Sequence, residues 1–295
     1  MSVQPVIQAQ DLAEQLGVPD APVVLDGTVL LAPARFDGDY RPESGGALWR
    51  RAHVPGSRHV DLLTTLSDTA KALHFSRPSR AALARDLAAL GIAADTPVVV
   101  YDQGGMTWAA RVWWLLRGVG IDARVLDGGL ARWTALGLPV ESGDAPAAVP
   151  ATVSADDLVD RGLWVDRTEV EDVSTGRAAG TLVCALAPAQ FTGAEQTRYS
   201  RRGHIPGSRN LSAKTLLDDN GCVRGAEELR SLADAALADT ERPLVIYCGG
   251  GVSACLTALG LVLSGHESVR VYDGSIEEWS ADPSLPLVVT AGGDA

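Results

Sequence analysis

The chain has 295 residues, 46% of them hydrophobic and 21% charged, with a formal net charge of -12. That length suits about two domains, and the composition is that of a globular chain able to bury its cores. The acidic excess leaves no surplus of cations to neutralise phosphates, so neither nucleic acid nor an acidic membrane is expected as a partner. A small anion, which needs only a local positive pocket, is not excluded. The opening "MSVQPVIQAQDLAEQLG" has no basic start followed by an apolar core, and no apolar run reaches the roughly 18 to 20 residues of a membrane span. A cytoplasmic location without membrane contact is the expectation. Cys184, Cys222, Cys248 and Cys255 form no CxxC pair and no Cys/His cluster of zinc spacing. Reduced thiols in a reducing compartment are therefore expected, with no metal site.

In chain order, "RAHVPGSRHVDL" (51–62) precedes "RAALARDLAALGI" (80–92), whose apolar residues fall at helical spacing with a glycine near the end. "PVVVY" (97–101) is a short β-branched run behind a proline, the pattern of a buried strand. A Gly-rich turn leads into the helix "WAARVWWLLRGVG" (108–120), and "ARVLDGG" (123–129) is the next strand. The series then recurs. "RGHIPGSRNLSA" (202–213), the helix "AEELRSLADAAL" (226–237), the strand "PLVIY" (243–247), the helix "SACLTALGLVLSGH" (253–266) and the strand "SVRVYDG" (268–274) follow in the same sequence. Tyr101 and Tyr247, Asp127 and Asp273, and Trp133 and Trp279 are each 146 residues apart, whereas His53 and His204 are 151 apart. Matched segments in one order indicate two copies of one domain. Between them "ESGDAPAAVPATVS" (141–154) has the Ala, Pro, Gly and Ser content of an exposed linker. The boundaries are drawn as 1–142, linker 143–152, and 153–295. Strands alternating with helices imply an α/β fold, each domain a largely parallel sheet flanked by helices.

"YCGGGVSAC" (247–255) places Cys248 at the C-terminal end of a strand and before a helix, where ligands bind in open α/β sheets. Glycines permit a tight backbone cradle. The amides of Gly249, Gly250, Gly251, Val252, Ser253 and Ala254, with the helix N-terminus behind them, would favour a negative charge. A thiolate there is stabilised and becomes nucleophilic without an adjacent histidine. The same turn also serves in structural loops, where a buried cysteine is an inert small hydrophobe. The first copy carries Asp102, followed by "QGGMTW", at the equivalent point. One copy thus reads as catalytic and the other as a retained scaffold.

The tandem "HVPGS" and "HIPGS" segments, the strand–Cys–six-residue loop and "VYDGSIEEW" resemble the two-domain rhodanese family of sulfurtransferases, over most of the chain. "CGGGVSA" is most similar to the 3-mercaptopyruvate branch; the thiosulfate branch usually has charged residues after the cysteine. The resemblance implies tandem rhodanese-like domains and transfer of a sulfane sulfur through a Cys248 persulfide. It implies a small anionic donor, 3-mercaptopyruvate favoured and thiosulfate possible, and an acceptor that is cyanide or a thiol, low-molecular-weight or thioredoxin-like. No cofactor is required. Family members hold the donor with two arginines upstream of the second "HIPGS". Here Gln190 stands where one is expected, Leu186 replaces another usual arginine, Cys184 replaces a usual aspartate, and Arg198 lies within one residue of the second clamp. Arg198, Gln190 and His53 are the substrate-binding candidates; Arg201 and Arg202 either assist or belong to a solvated loop. Gly250 occupies the place of a serine thought to work with the histidine matching His53, which favours an ordering role for His53 and for His204. Ser253 keeps the hydroxyl of a usual threonine, to reach the sulfur or to cap the helix.

Two other classes remain in view. A cysteine phosphatase needs an arginine closing the loop, but position 254 is Ala and none of residues 249 to 254 is basic. A degenerate rhodanese, binding a partner or sensing redox state, would keep a reactive Cys248 and turn over slowly.

Overall fold

The computed structural model describes residues 4–18, 21–238, 240 and 243–290. The first half of the chain runs β1 (Val6–Ile7), α1 (Ala9–Gln15), β2 (Val23–Asp26), β3 (Val29–Leu31), β4 (Pro42–Ser44), α2 (Gly46–Arg51), β5 (Arg58–His59), α3 (Arg80–Ala89), β6 (Val98–Tyr101), α4 (Thr107–Gly118), β7 (Ala123–Leu126) and α5 (Gly129–Ala135). The second half runs β8 (Trp164–Val165), α6 (Arg167–Ser174), β9 (Thr181–Cys184), α7 (Pro188–Phe191), β10 (Arg209–Asn210), α8 (Ala226–Leu237), β11 (Leu244–Tyr247), α9 (Ser253–Leu263), β12 (Val269–Tyr272) and α10 (Ser275–Ala281).

Each half builds a five-stranded sheet, in the orders β1-β7-β6-β2-β5 and β8-β12-β11-β9-β10. Every described pairing in both sheets is parallel. The two orders are the same topology, as the repeat requires, and the α/β expectation is met. Central strands β6 and β11 are buried at every residue. This is why "VVVY" and "LVIY" read as continuous apolar runs rather than alternating ones. α3 starts where Ser79 accepts the Ala82 N–H, and α6 starts at a reciprocal Asp166/Glu169 capping box. Among the described residues no helix is long and apolar enough to cross a membrane.

By compactness the chain divides into two units. The first holds the chain up to Leu30, Glu43–Arg161 and Asp218–Val223; the second holds Leu31–Pro42, Gly162–Leu217 and everything from Arg224 onward. Each unit therefore contains a short segment from the other half of the sequence. In the second unit, segment 31–42 is fixed by Gly38 N–H to the Thr197 carbonyl at 3.1 Å, by Thr197 N–H to Asp37 Oδ1 at 3.0 Å, and by Arg202 on Asp37 at 2.8 Å. In the first unit, the Val223 N–H donates to Asp127 Oδ1 at 2.8 Å.

The tandem motifs form matching braces. The Tyr101 hydroxyl takes the Val54 N–H at 3.2 Å and lies 2.9 Å from Ser57 Oγ. The Tyr247 hydroxyl takes the Ile205 N–H at 3.1 Å and donates to Ser208 Oγ at 2.8 Å. The Trp133 and Trp279 indoles donate to the carbonyls of Pro139 and Pro286 at 2.7 and 2.8 Å.

Candidate active site

Cys248 follows β11 directly and is 1% exposed. Its backbone is held by the start of α10. The Cys248 N–H donates to Ser275 Oγ at 3.1 Å, and its carbonyl accepts the Ile276 N–H at 3.1 Å. Gly251 N–H donates to the same Oγ at 3.1 Å, and Ser275 Oγ donates onward to the Tyr272 carbonyl at 2.8 Å. One hydroxyl thus ties both ends of the turn, with both acceptor positions and its proton in use. Ser275 adopts a left-handed backbone, φ 49°, to do so. For a residue with a Cβ that conformation is costly, on the order of 1 to 2 kcal/mol.

Gly251 supplies the left-handed step of the loop at φ 70°. Gly249 serves close approach instead: a Cβ there would overlap the Tyr199 hydroxyl. A Cβ on Gly250 would meet Glu277 Oε2 at 3.1 Å, the Tyr40 hydroxyl at 3.6 Å and the Tyr199 hydroxyl at 4.0 Å. The glycines therefore do two things. They shape the turn, and they leave room for a wall of two phenols and a carboxylate. Tyr40 arrives on segment 31–42 of the same unit, its ring 5.8 Å from that of Tyr199. Burial, with the negative charges of Tyr40, Cys248 and Glu277 in their ionised forms, pushes the Tyr199 hydroxyl well above its ordinary value, so it remains a protonated donor at neutral pH.

The loop runs into α9, whose first residue is Ser253. Val252 occupies the cap position and makes no side-chain cap bond. The capping role considered for Ser253 is thus not the one it takes, because it lies one residue inside the helix. An α-helix start without a polar cap presents its amides and the positive end of its dipole to a ligand. Ala254 is fully buried beneath the loop. Cys255 is buried and its thiol donates to the Gly251 carbonyl at 3.2 Å, which makes it a brace of the turn.

The substrate-binding candidates separate. Arg198 adjoins Tyr199, and its Nε donates to the Ala32 carbonyl at 3.0 Å, within the second unit. Gln190 sits half-buried on α7. Leu186 packs into the apolar cluster around Tyr247 and Trp279. Arg201 donates to the carbonyls of Trp279, Ser280, Asp282 and Leu285, closing the end of α10, and Arg202 is paired with Asp37. Both are structural. His53 belongs to the first unit and is 2% exposed. Its ring stacks on Trp49 with centroids 4.2 Å apart, Nδ1 donates to the Trp49 carbonyl at 2.8 Å, and Nε2 lies 3.8 Å from Glu141 Oε2. His204 repeats the arrangement on Phe191, with a 3.7 Å stack and a 2.8 Å bond to its carbonyl.

The equivalent loop of the first unit holds a carboxyl group of its own, whose pKa burial raises against the pull of its backbone hydrogen bonds. Asp102 Oδ1 accepts the N–H groups of Gly104 and Met106, and Oδ2 those of Trp108 and Ala109, all at 2.9 Å. Four amides converge on one carboxylate.

Sequence reasoning missed Ser275, Tyr199, Tyr40 and Glu277. Ser275 carried a signal: in the 146-residue register its partner is Gly129, which has the same left-handed backbone at φ 54°. A serine replacing a glycine at such a position calls for a bond that compensates. Nothing in the sequence places Tyr40 near residue 250.

Two α/β units of one topology, each built on a parallel sheet, with Asp102 following the central strand of one and Cys248 that of the other, define a tandem α/β protein with a thiol loop in its second unit. The rhodanese-like domain family matches residues 8–136 and 193–282. The chain is 33% identical over 288 residues to the putative thiosulfate sulfurtransferase SseB of Mycobacterium tuberculosis, covering 96% of each. It is 34% identical over 295 residues to the probable 3-mercaptopyruvate sulfurtransferase of Pseudomonas aeruginosa, covering 97% of this chain and 99% of that one. The crystal structure of SseA from Escherichia coli, described as a 3-mercaptopyruvate sulfotransferase, matches with a TM-score of 0.78 and 27% identity over 92% of this chain and 99% of that chain. The chain belongs to the rhodanese family of sulfurtransferases.

Proposed function

We propose that this sulfurtransferase moves a sulfane sulfur from a small anionic donor, 3-mercaptopyruvate in preference to thiosulfate, to a thiol or cyanide acceptor through a persulfide on Cys248. The observation that carries this reading is the pair of equivalent loops. In the first unit the loop gathers four amides on the Asp102 carboxylate. In the second, a thiol takes that position at the N-terminus of a helix whose cap residue, Val252, offers no side-chain bond. A loop built to surround an anion suits a thiolate and a persulfide anion equally.

The Cys248 thiolate attacks the sulfur of 3-mercaptopyruvate. The Cys248 S–S bond forms as the donor's C–S bond breaks, and the electron pair leaves on carbon as the enolate of pyruvate, which takes up a proton. With thiosulfate the outer sulfur is attacked and the pair leaves on sulfite. An acceptor thiolate then attacks the outer sulfur of the persulfide, forming its own persulfide and returning the Cys248 thiolate. Arg198 anchors the donor carboxylate, with the Gln190 amide as a neutral second contact. Tyr199, protonated, donates to the donor. Ser275 positions the turn. His53 and His204 order their segments through the Trp49 and Phe191 carbonyls.

The experiment is intact-protein mass spectrometry after brief exposure to 3-mercaptopyruvate or, separately, to thiosulfate. We expect one added sulfur atom, mapped to Cys248 and removed by a thiol, and none in Cys248→Ser. Sulfur transfer by Cys248→Ser at the wild-type rate would overturn the reading. The structural use of Arg201 and Arg202 favours one alternative, a degenerate rhodanese acting as a sulfur or redox sensor. It predicts a reactive Cys248 with slow turnover of both donors.

A further inference from the structure

We infer that Glu277 is a specificity-determining residue of the Cys248 site: its carboxylate, set against Gly250, selects a sulfur donor with one negative charge over a donor with two. The inference rests on the sulfur-transfer reading above and deepens it.

The placement comes from the loop. Glu277 N–H donates to the Gly249 carbonyl at 2.8 Å, so the residue's backbone is fixed to the turn whatever its side chain. Its Oε2 is buried and would lie 3.1 Å from a Cβ on Gly250, two residues from the thiol. The fold does not demand a carboxylate there. In the 146-residue register the equivalent position in the first unit is Ala131, on α5, which meets its loop through Leu130 N–H to the Asp102 carbonyl at 3.2 Å, the counterpart of Ile276 N–H to the Cys248 carbonyl at 3.1 Å. The acid occurs in the unit that carries Cys248.

The charges around the turn explain what it does. Arg198 brings a cation next to Tyr199, while Arg201 and Arg202 are held by carbonyls and by Asp37. Glu277 and Arg198 both lie close enough to the Tyr199 hydroxyl to act on it, in opposite senses. A 3-mercaptopyruvate anion brings one carboxylate, which Arg198 can meet. Thiosulfate brings a second negative charge that meets Glu277 without a further partner. At separations of several ångströms and an effective dielectric of about 20, one extra like charge is worth well over tenfold in binding. Glu277 is only half-buried, so solvent screening reduces that, and we expect about tenfold, equivalent to about 1.4 kcal/mol.

The test is steady-state kinetics of the full chain with cyanide as the common acceptor, for wild type, Glu277→Gln, Glu277→Ala and Glu277→Asp. The readout is kcat/KM for thiosulfate divided by kcat/KM for 3-mercaptopyruvate. That ratio should rise about tenfold in both neutral variants and stay nearer wild type in Glu277→Asp. A side chain that merely braces the loop would change both donors together and leave the ratio alone. An unchanged ratio in the two neutral variants overturns the inference while leaving the sulfur-transfer reading intact. If neither donor loads sulfur on wild-type Cys248, the sulfur-transfer reading itself falls.

Discussion

Two positions that are acids in the first unit are thiols in the second. Asp26 ends β2 and Asp102 follows β6; Cys184 ends β9 and Cys248 follows β11. The strands pair alike, Asp26 with Tyr101 and Cys184 with Tyr247. The first unit fills its strand ends with carboxyl groups and satisfies them internally, although burial raises the pKa of Asp102 while hydrogen bonds lower that of Asp26. Asp26 takes the Thr28 N–H at 2.8 Å and the Gln103 amide at 3.0 Å, and Asp102 takes four backbone amides. In the second unit Ser275 Oγ does part of that work by accepting two of the loop amides. The loops also differ in backbone. Met106 is left-handed at φ 64°, drawn in by the Asp102 carboxylate, while its register partner Val252 sits at φ -92°. A β-branched residue resists the left-handed region, and a thiol is too short to draw the turn inward. A closed loop and an open one thus come from one topology.

The strongest way to break this comparison is to empty the closed loop. Asp102→Ala leaves four loop amides without their acceptor, and we expect a loss of about 3 to 5 kcal/mol from the first unit. Denaturant unfolding of the full chain, followed by probes reporting each unit separately, measures it. A loss under about 1 kcal/mol would mean that the carboxylate does not organise the first loop, and the analogy with Cys248 would lose its basis.

A second test sharpens the role of Ser275. Ser275→Ala removes the shared acceptor and keeps a Cβ in the left-handed region. Ser275→Gly removes the acceptor and relieves the backbone, reproducing Gly129 of the first unit. Both variants should lose about tenfold or more in kcat/KM, because the turn under the thiol is no longer tied. Ser275→Gly should be the more stable of the two by about 1 kcal/mol. Wild-type turnover in either variant would show that the hydroxyl does not position the loop.

Much of this was legible in the sequence because the repeat imposes it. The constant spacing of Tyr101 and Tyr247 and of Trp133 and Trp279 reflects phenols and indoles that make the same backbone bonds in each unit. Strands β6, β7, β11 and β12 and helices α3, α4, α8 and α9 followed from periodicity, and Cys248 from its place between a buried strand and a helix. The walls of the site were not legible. Tyr199 and Tyr40 meet across 159 positions of sequence, and segment 31–42 has no periodicity that would assign it to the second unit. Arg201 and Arg202 read as possible donor contacts because their carbonyl and Asp37 partners are set by tertiary structure.

The smallest expected effect compares the two thiols within the second unit. Cys184 is fully buried one strand from Cys248, and burial pushes its thiol up to about 12. At its strand end the Cys184 sulfur meets the Leu186 backbone and the Tyr247 hydroxyl, which favour the thiolate less than burial disfavours it. Since the thiolate is the reactive form, Cys184 should stay unalkylated by iodoacetamide at pH 8 in the folded protein. Its labelling rate should climb about tenfold per pH unit towards the value set by burial, for as long as the fold survives. Cys248 should react at pH 8 and be protected by preloading with 3-mercaptopyruvate. Peptide mapping of timed, pH-stepped reactions separates the sites. If Cys184 labels as fast as Cys248 at pH 8, the loop confers nothing on its thiol beyond what any strand end provides. If Cys248 alone reacts, the difference between two cysteines on neighbouring strands is attributable to the glycine loop and the uncapped start of α9.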